Sequence, residues 1–149
     1  MPLIFNEAML AHGMRGNVGL WNIVESEADL AVGLALHPAE TEQLATIKGE
    51  GRRREFLAAR QLLHTMSGRA VRGELRKDEH GKPHLVASPL RVSISHTTGF
   101  SAAVAHPLPC GVDVQVFVPN QPNCPRLSAA EAIMLGHQHC LFLQHLILV

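Results

Sequence analysis

Apolar and polar positions change period several times along the chain. Val18 to Val24 (VGLWNIV) is rich in β-branched residues and predicts a first strand. Ser26, with Asp29 three residues on, carries an N-cap signature that opens a helix expected to run through Leu36. Pro38 at a first helical position, followed by Glu40 and Glu42, predicts a second short helix to about Ile47. The strongest helical signal comes next. Phe56, Ala59, Leu63 and Met66 recur at helical spacing, so Arg52 to Met66 is expected to be the helix on which the core is built. After it the period falls to two. Gly73 to Lys77, His84 to Val86, Val92 to Ser95, Ser101 to His106 and Gly111 to Gln115 read as short strands separated by Gly, Pro and polar turns. The expected fold is α+β: a small, mainly antiparallel sheet from the strands around Trp21, His84, Val92, Ala103 and Val112, packed on the long helix.

A Pro/Asn-rich linker begins at Pro119, dividing the chain into 1–118 and 119–149. Beyond it, RLSAAEAIML from Arg126 predicts the start of a further helix, with Ser128 and Glu131 as a capping box. The apolar tail holds His137, His139, Cys140 and His145, whose spacing fits no structural zinc pattern. It is broken by Gln144 and His145 and falls short of the ~20 residues that cross a bilayer.

Composition narrows the function classes. At 149 residues the chain is the size of one domain, and 13 basic against 13 acidic side chains leave no bulk pull toward nucleic acid or membrane. Three cysteines without Cys-x-x-Cys spacing fit a reducing compartment, and Glu7 within an N-terminus lacking a basic region argues against a secretory signal. A soluble, cytoplasmic protein is expected.

The candidate chemistry lies in polar breaks between strands. Ser95 and His96 end one strand in a turn that suits a phosphate, and period-2 alternation aims Asp113 and Gln115 at one side, where two oxygens suit a hard cation. Arg53 and Arg60 project from one side of the long helix, and a guanidinium fork matches phosphate. Pro83 holds Lys82 in an extended, stiff segment. Each feature has an ordinary alternative: turn chemistry, a solvated strand face, a solvated basic helix, a surface lysine.

The order GKPHL, SISHTTG, GVDV resembles the 4′-phosphopantetheinyl transferases of the larger, surfactin-synthetase type. The likeness extends back through RRREFLAARQLL to LWNIVESEADL. It implies the N-terminal half of a fold built from two similar halves, with coenzyme A lying between them. It implies that Arg60 and one of Arg53 or Arg54 contact the nucleotide end of coenzyme A, with Lys82, Pro83, Ser95 and His96 contributing to phosphate binding. Asp113 is then the catalytic residue and, with Gln115, the ligand of a magnesium ion. The implied reaction moves phosphopantetheine from coenzyme A to a serine of an acyl or peptidyl carrier protein. The sequence departs from the family at Gln115, where an acidic residue is usual, and lacks the Trp-x-x-Lys-Glu-Ala motif of the second half. Three readings follow: an enzyme, a truncated coenzyme A-binding half without independent activity, or a structural domain with accidental motifs. A homo-oligomer is also expected, with Leu141 to Val149 buried in the contact.

Overall fold

The structure, a computed structural model, describes residues 3–11, 14–117, 132–135 and 139–144, with side-chain surroundings over 14–115. In chain order the elements are β1 (Leu3–Ala11), β2 (Met14–Asn22), α1 (Glu27–Ala31), α2 (Pro38–Thr46), α3 (Glu50–Ser67), β3 (Leu75–Lys77), β4 (Pro83–Leu85), β5 (Arg91–Thr97), β6 (Phe100–His106), β7 (Asp113–Phe117), β8 (Ala132–Leu135) and β9 (His139–Gln144). The fold is α+β, as the hydrophobic pattern implies. Strands β1 to β6 form one antiparallel sheet in the order β1-β2-β6-β5-β4-β3.

α3 crosses one face of that sheet. Phe56, Leu57, Ala59, Leu62, Leu63 and Met66 are buried, which is the stripe that helical spacing singles out. Gly68, in the left-handed conformation, ends the helix as a C-cap glycine. The sheet meets α3 through Trp21, Val92, Ala103 and Ala105. Where β2 passes closest it carries Gly19, because a Cβ there would stand 2.9 Å from both Leu62 Cδ1 and Met66 Sδ. This close approach lets the two elements share one core, and at about 25 cal/mol per Å² of buried apolar surface such contact dominates the stability.

The other face of β5 and β6 is covered by β7. Val112 N–H donates to Ser93 Oγ at 3.2 Å and Val114 N–H to Ser95 Oγ at 3.1 Å, so β7 runs alongside β5 in the same direction, tied by side-chain hydroxyls. Val114 is buried there.

Several expectations are corrected. The strand expected around Val112 begins at Asp113 and does not join the main sheet; it belongs to a second sheet in the order β7-β9-β8. The first helix ends at Ala31, not Leu36, because Val32 turns to an extended conformation and Gly33 follows with φ 78. Of the helix expected from Arg126, Ser128 and Glu131 lie outside the described residues, and Ala132–Leu135 is a strand paired with β9. In the tail, Leu141 to Gln144, expected at a subunit contact, pairs with β7 of its own chain; residues 145–149 and His137 lie outside the described residues. Residues Leu3–Ala11 form a full strand along β2. Among the described residues no helix is long and apolar enough to cross a membrane.

Candidate functional site

A buried charge cluster anchors the site. His37 caps α2, and its backbone N–H donates to Glu40 Oε2 at 3.0 Å. Glu40, 1% exposed, accepts from Arg60 Nε at 3.0 Å, from Leu75 N at 3.3 Å and from both terminal nitrogens of Arg72. Burial alone would raise the carboxyl's pKa, but the Arg72 guanidinium, the His37 N–H and Arg60 outweigh it and hold it below the usual range. Arg60 is 4% exposed and lies over the Phe56 ring, 3.3 Å from its centroid. Burial brings its pKa down to about 10 despite Glu40. The cluster fastens α2, α3 and β3 to one another.

Beside the cluster a cleft of about 420 Å³ opens between α3, the end of α2 and the β3–β4 hairpin. Arg52, Glu55, Phe56, Ala59 and Arg60 line it from one face of α3, at i, i+3, i+4, i+7 and i+8 spacing. Lys77, Gly81 and Pro83 face them from the hairpin, and Ile94 and His96 from β5. His96 Nε2 lies 2.7 Å from Arg52 Nη1 and 3.2 Å from Glu55 Oε2. One ring nitrogen either accepts from the arginine or donates to the carboxylate, not both. Among the described residues the buried Glu55 Oε2 makes no hydrogen bond, although Arg52 Nη1 stands 3.6 Å from it, so the polar groups at the cleft mouth are close but not all paired.

The Lys82 loop is rigid through one carboxylate. Asp78 Oδ1 accepts the His80 and Lys82 N–H groups at 2.9 Å each, and Oδ2 contacts His84 Nε2 at 2.9 Å. The Asp78 N–H donates back to Lys82 O at 3.0 Å, and Gly81 takes the positive φ of 79 that the turn requires. The His84 ring, then the Lys82 N–H, pull the Asp78 pKa down to about 2. The Lys82 side chain is exposed, between cleft-lining Gly81 and Pro83.

On the opposite face of β5, Ser95 Oγ donates to Asp113 Oδ1 at 3.0 Å, and Gln115 Nε2 donates to Asp113 Oδ2 at 3.1 Å. Successive strand residues point to opposite faces, so Ser95 and His96, neighbours in sequence, serve different sides.

The sequence-predicted residues therefore fall into separate groups. Arg60, Pro83 and His96 line the cleft, with Lys82 at its rim. Ser95, Asp113 and Gln115 gather behind β5. Arg53 meets neither group; its Nε donates to Glu27 Oε1 at 2.8 Å and Nη1 to Leu44 O at 3.1 Å. Arg54 donates to the Glu25 and Ile23 carbonyls. Arg52, Glu55 and Lys77 were not anticipated, although Arg52 and Glu55 continue the Phe56–Ala59 stripe one turn earlier.

Residues 40–106 match the family model described as the 4′-phosphopantetheinyl transferase N-terminal domain, a stretch that takes in the Glu40 cluster, α3, the Lys82 loop and His96. No curated protein matches the chain.

Proposed function

The chain belongs, through residues 40–106, to the 4′-phosphopantetheinyl transferase superfamily as its N-terminal portion, and from that premise we propose that the α3 cleft binds the nucleotide end of coenzyme A for transfer of phosphopantetheine to a carrier-protein serine. The observation that carries this reading is the convergence of Arg52, Arg60, Lys77 and His96 on one cleft with Lys82 at its rim. Arg forks and a lysine ammonium are suited to phosphate oxygens. A phosphate accepting from Arg52 would release His96 Nε2 to donate to Glu55 Oε2, giving that oxygen a hydrogen bond in place of a close contact.

In the proposed reaction the serine oxygen forms a bond to the β-phosphorus of coenzyme A while the bond to the leaving 3′,5′-ADP oxygen breaks, and the serine proton leaves to solvent or base. His96 and Lys82 position phosphate. Magnesium is the proposed metal, and Asp113 suits it: a carboxylate offers about four lone-pair sites, and its two hydrogen bonds leave capacity. Among the described residues no three His, Cys, Asp or Glu side chains cluster as a metal site. Because Asp113 and the Gln115 amide lie across β5 from the α3 cleft, the substrate pyrophosphate would have to pass the Thr97 end of that strand to share the ion, with water completing the shell. When bound it supplies Lewis-acid stabilisation of the developing charge.

The test pairs calorimetric titration of coenzyme A with magnesium-dependent transfer to an apo carrier protein. Binding with transfer supports the enzyme. Binding without transfer, favoured by the single carboxylate at Asp113, leaves the coenzyme A-binding half; a folded chain that binds no coenzyme A overturns both.

A further inference from the structure

Beyond the Glu40 cluster lies a second cavity, of about 220 Å³, between the C-terminal half of α3 and the β3–β4 layer. Arg60 and Leu75 form the wall it shares with the α3 cleft. Leu63, Leu85 and Leu90 supply an apolar lining. Among the described residues its charged lining is cationic, from Arg60, Arg69 and Arg72, with His64 beside them and no carboxylate.

Two independent features point to a missing anion. One carboxylate, Glu40, faces two buried guanidiniums, leaving positive charge uncompensated among the described residues. Arg72 has used all its N–H groups, on Leu34, Ala35 and Gly73 carbonyls and both Glu40 oxygens. Arg60 has not: of five donors it uses Nε on Glu40, one Nη1 hydrogen on Phe56 O, and one Nη2 hydrogen in a long 3.5 Å contact with Gln43. The second feature is His64 Nδ1, buried and without a hydrogen-bond partner. Buried polar atoms are nearly always paired, and among the described residues none pairs with this nitrogen.

We infer that this cavity binds a short aliphatic carboxylate, its head on Arg60, Arg69 and His64 and its chain along Leu63, Leu85 and Leu90. An inorganic anion would leave the leucine wall unfilled. Pentanoate, a carboxylate head on a four-carbon chain, carries both the charge and the apolar surface that this lining calls for.

The test is a titration of the full chain with pentanoate, followed by the methyl resonances of Leu63, Leu85 and Leu90 and by calorimetry. Pentylamine serves as the opposite-charge control. Arg69 and Val86 are exposed, so Arg69→Ala and Val86→Trp perturb the site without touching the core. Saturable methyl shifts with pentanoate but not pentylamine are expected, with about tenfold weaker binding in Arg69→Ala, as for one lost charge-assisted bond. Val86→Trp should abolish binding by filling the cavity. Coenzyme A affinity in the same samples should be unchanged, which separates this site from the α3 cleft. Absence of saturable shifts, equal response to pentylamine, or wild-type affinity in both variants overturns the assignment.

Discussion

Ser95 Oγ is shared between Asp113 and the strand that carries it: it donates to Asp113 Oδ1 at 3.0 Å and accepts the Val114 N–H at 3.1 Å. Ser95→Ala leaves a buried N–H unpaired and frees the carboxylate, so a loss of about 1–3 kcal/mol in urea unfolding is expected. Under the magnesium proposal, Asp113→Ala removes the gain in coenzyme A affinity that the ion confers, and Gln115→Glu enlarges it. Calorimetry with and without magnesium reads both; identical ion dependence in wild type and Asp113→Ala would move the metal elsewhere.

Lys82 and Arg60 should respond differently to the same substitution. Lys82→Ala, at an exposed side chain, is expected to weaken coenzyme A binding by about 1.5–3 kcal/mol with an unchanged thermal midpoint. Arg52→Ala should behave similarly. Arg60→Ala also removes a buried bond to Glu40 and the stack on Phe56, and so lowers the midpoint as well. Wild-type affinity in both Lys82→Ala and Arg52→Ala would remove the phosphate from this cleft.

Glu40→Gln should be among the most damaging single changes in the chain. It removes the carboxylate that, among the described residues, alone pairs with two buried arginines, an imbalance that costs about 3–5 kcal/mol. The contact between Glu27 and Arg53 is half-exposed, and Glu27→Gln should barely move the denaturation midpoint. Comparable midpoints for the two variants would contradict the load placed on the Glu40 cluster.

The Lys82 loop has a pH signature. Asp78 ionises more readily in the folded chain, near 2 against an ordinary 3.8. A depressed carboxyl pKa adds stability that is present above the unfolded value and lost as pH falls toward the folded one. Below about pH 4 the Lys82 amide resonance, bonded to this carboxylate, should therefore shift with its midpoint near 2 and not near 3.8. Asp78→Asn should flatten that titration, and a wild-type profile in this variant would show that another group governs the loop.

Much of the fold was legible because local signals agreed with tertiary packing. Ser26, Pro38 and Gly68 mark helix ends where they fall, and the Phe56–Met66 stripe is the buried face. Strand periodicity identified β7 but not its partner, since period two reports which residues share a face and nothing about which edge is paired. The cleft was half legible for a helical reason. Arg52, Arg53 and Arg54 are spaced about 100° apart around α3, so they point to the cleft, to Glu27 and to the Ile23 and Glu25 carbonyls. Sequence shows three arginines; only the positions of α1 and β5 decide which one meets a ligand. Glu40 gave no sign of its role beyond a place in the first turn of α2, because Arg72 reaches it from a distant segment.

The serine ladder between β5 and β7 makes the two sheets separable. Among the described residues no backbone pairing joins them, and the polar ties at Ser93 and Ser95 are hydroxyls that each accept one amide. The β7-β9-β8 layer can thus peel from the back of the molecule without breaking a rung of the main sheet. Such a seam would open well below the global unfolding energy, as local openings of poorly tied elements do. It would carry Asp113 away while leaving the α3 cleft intact, so nucleotide recognition and the acidic residue are held by fastenings of different strength.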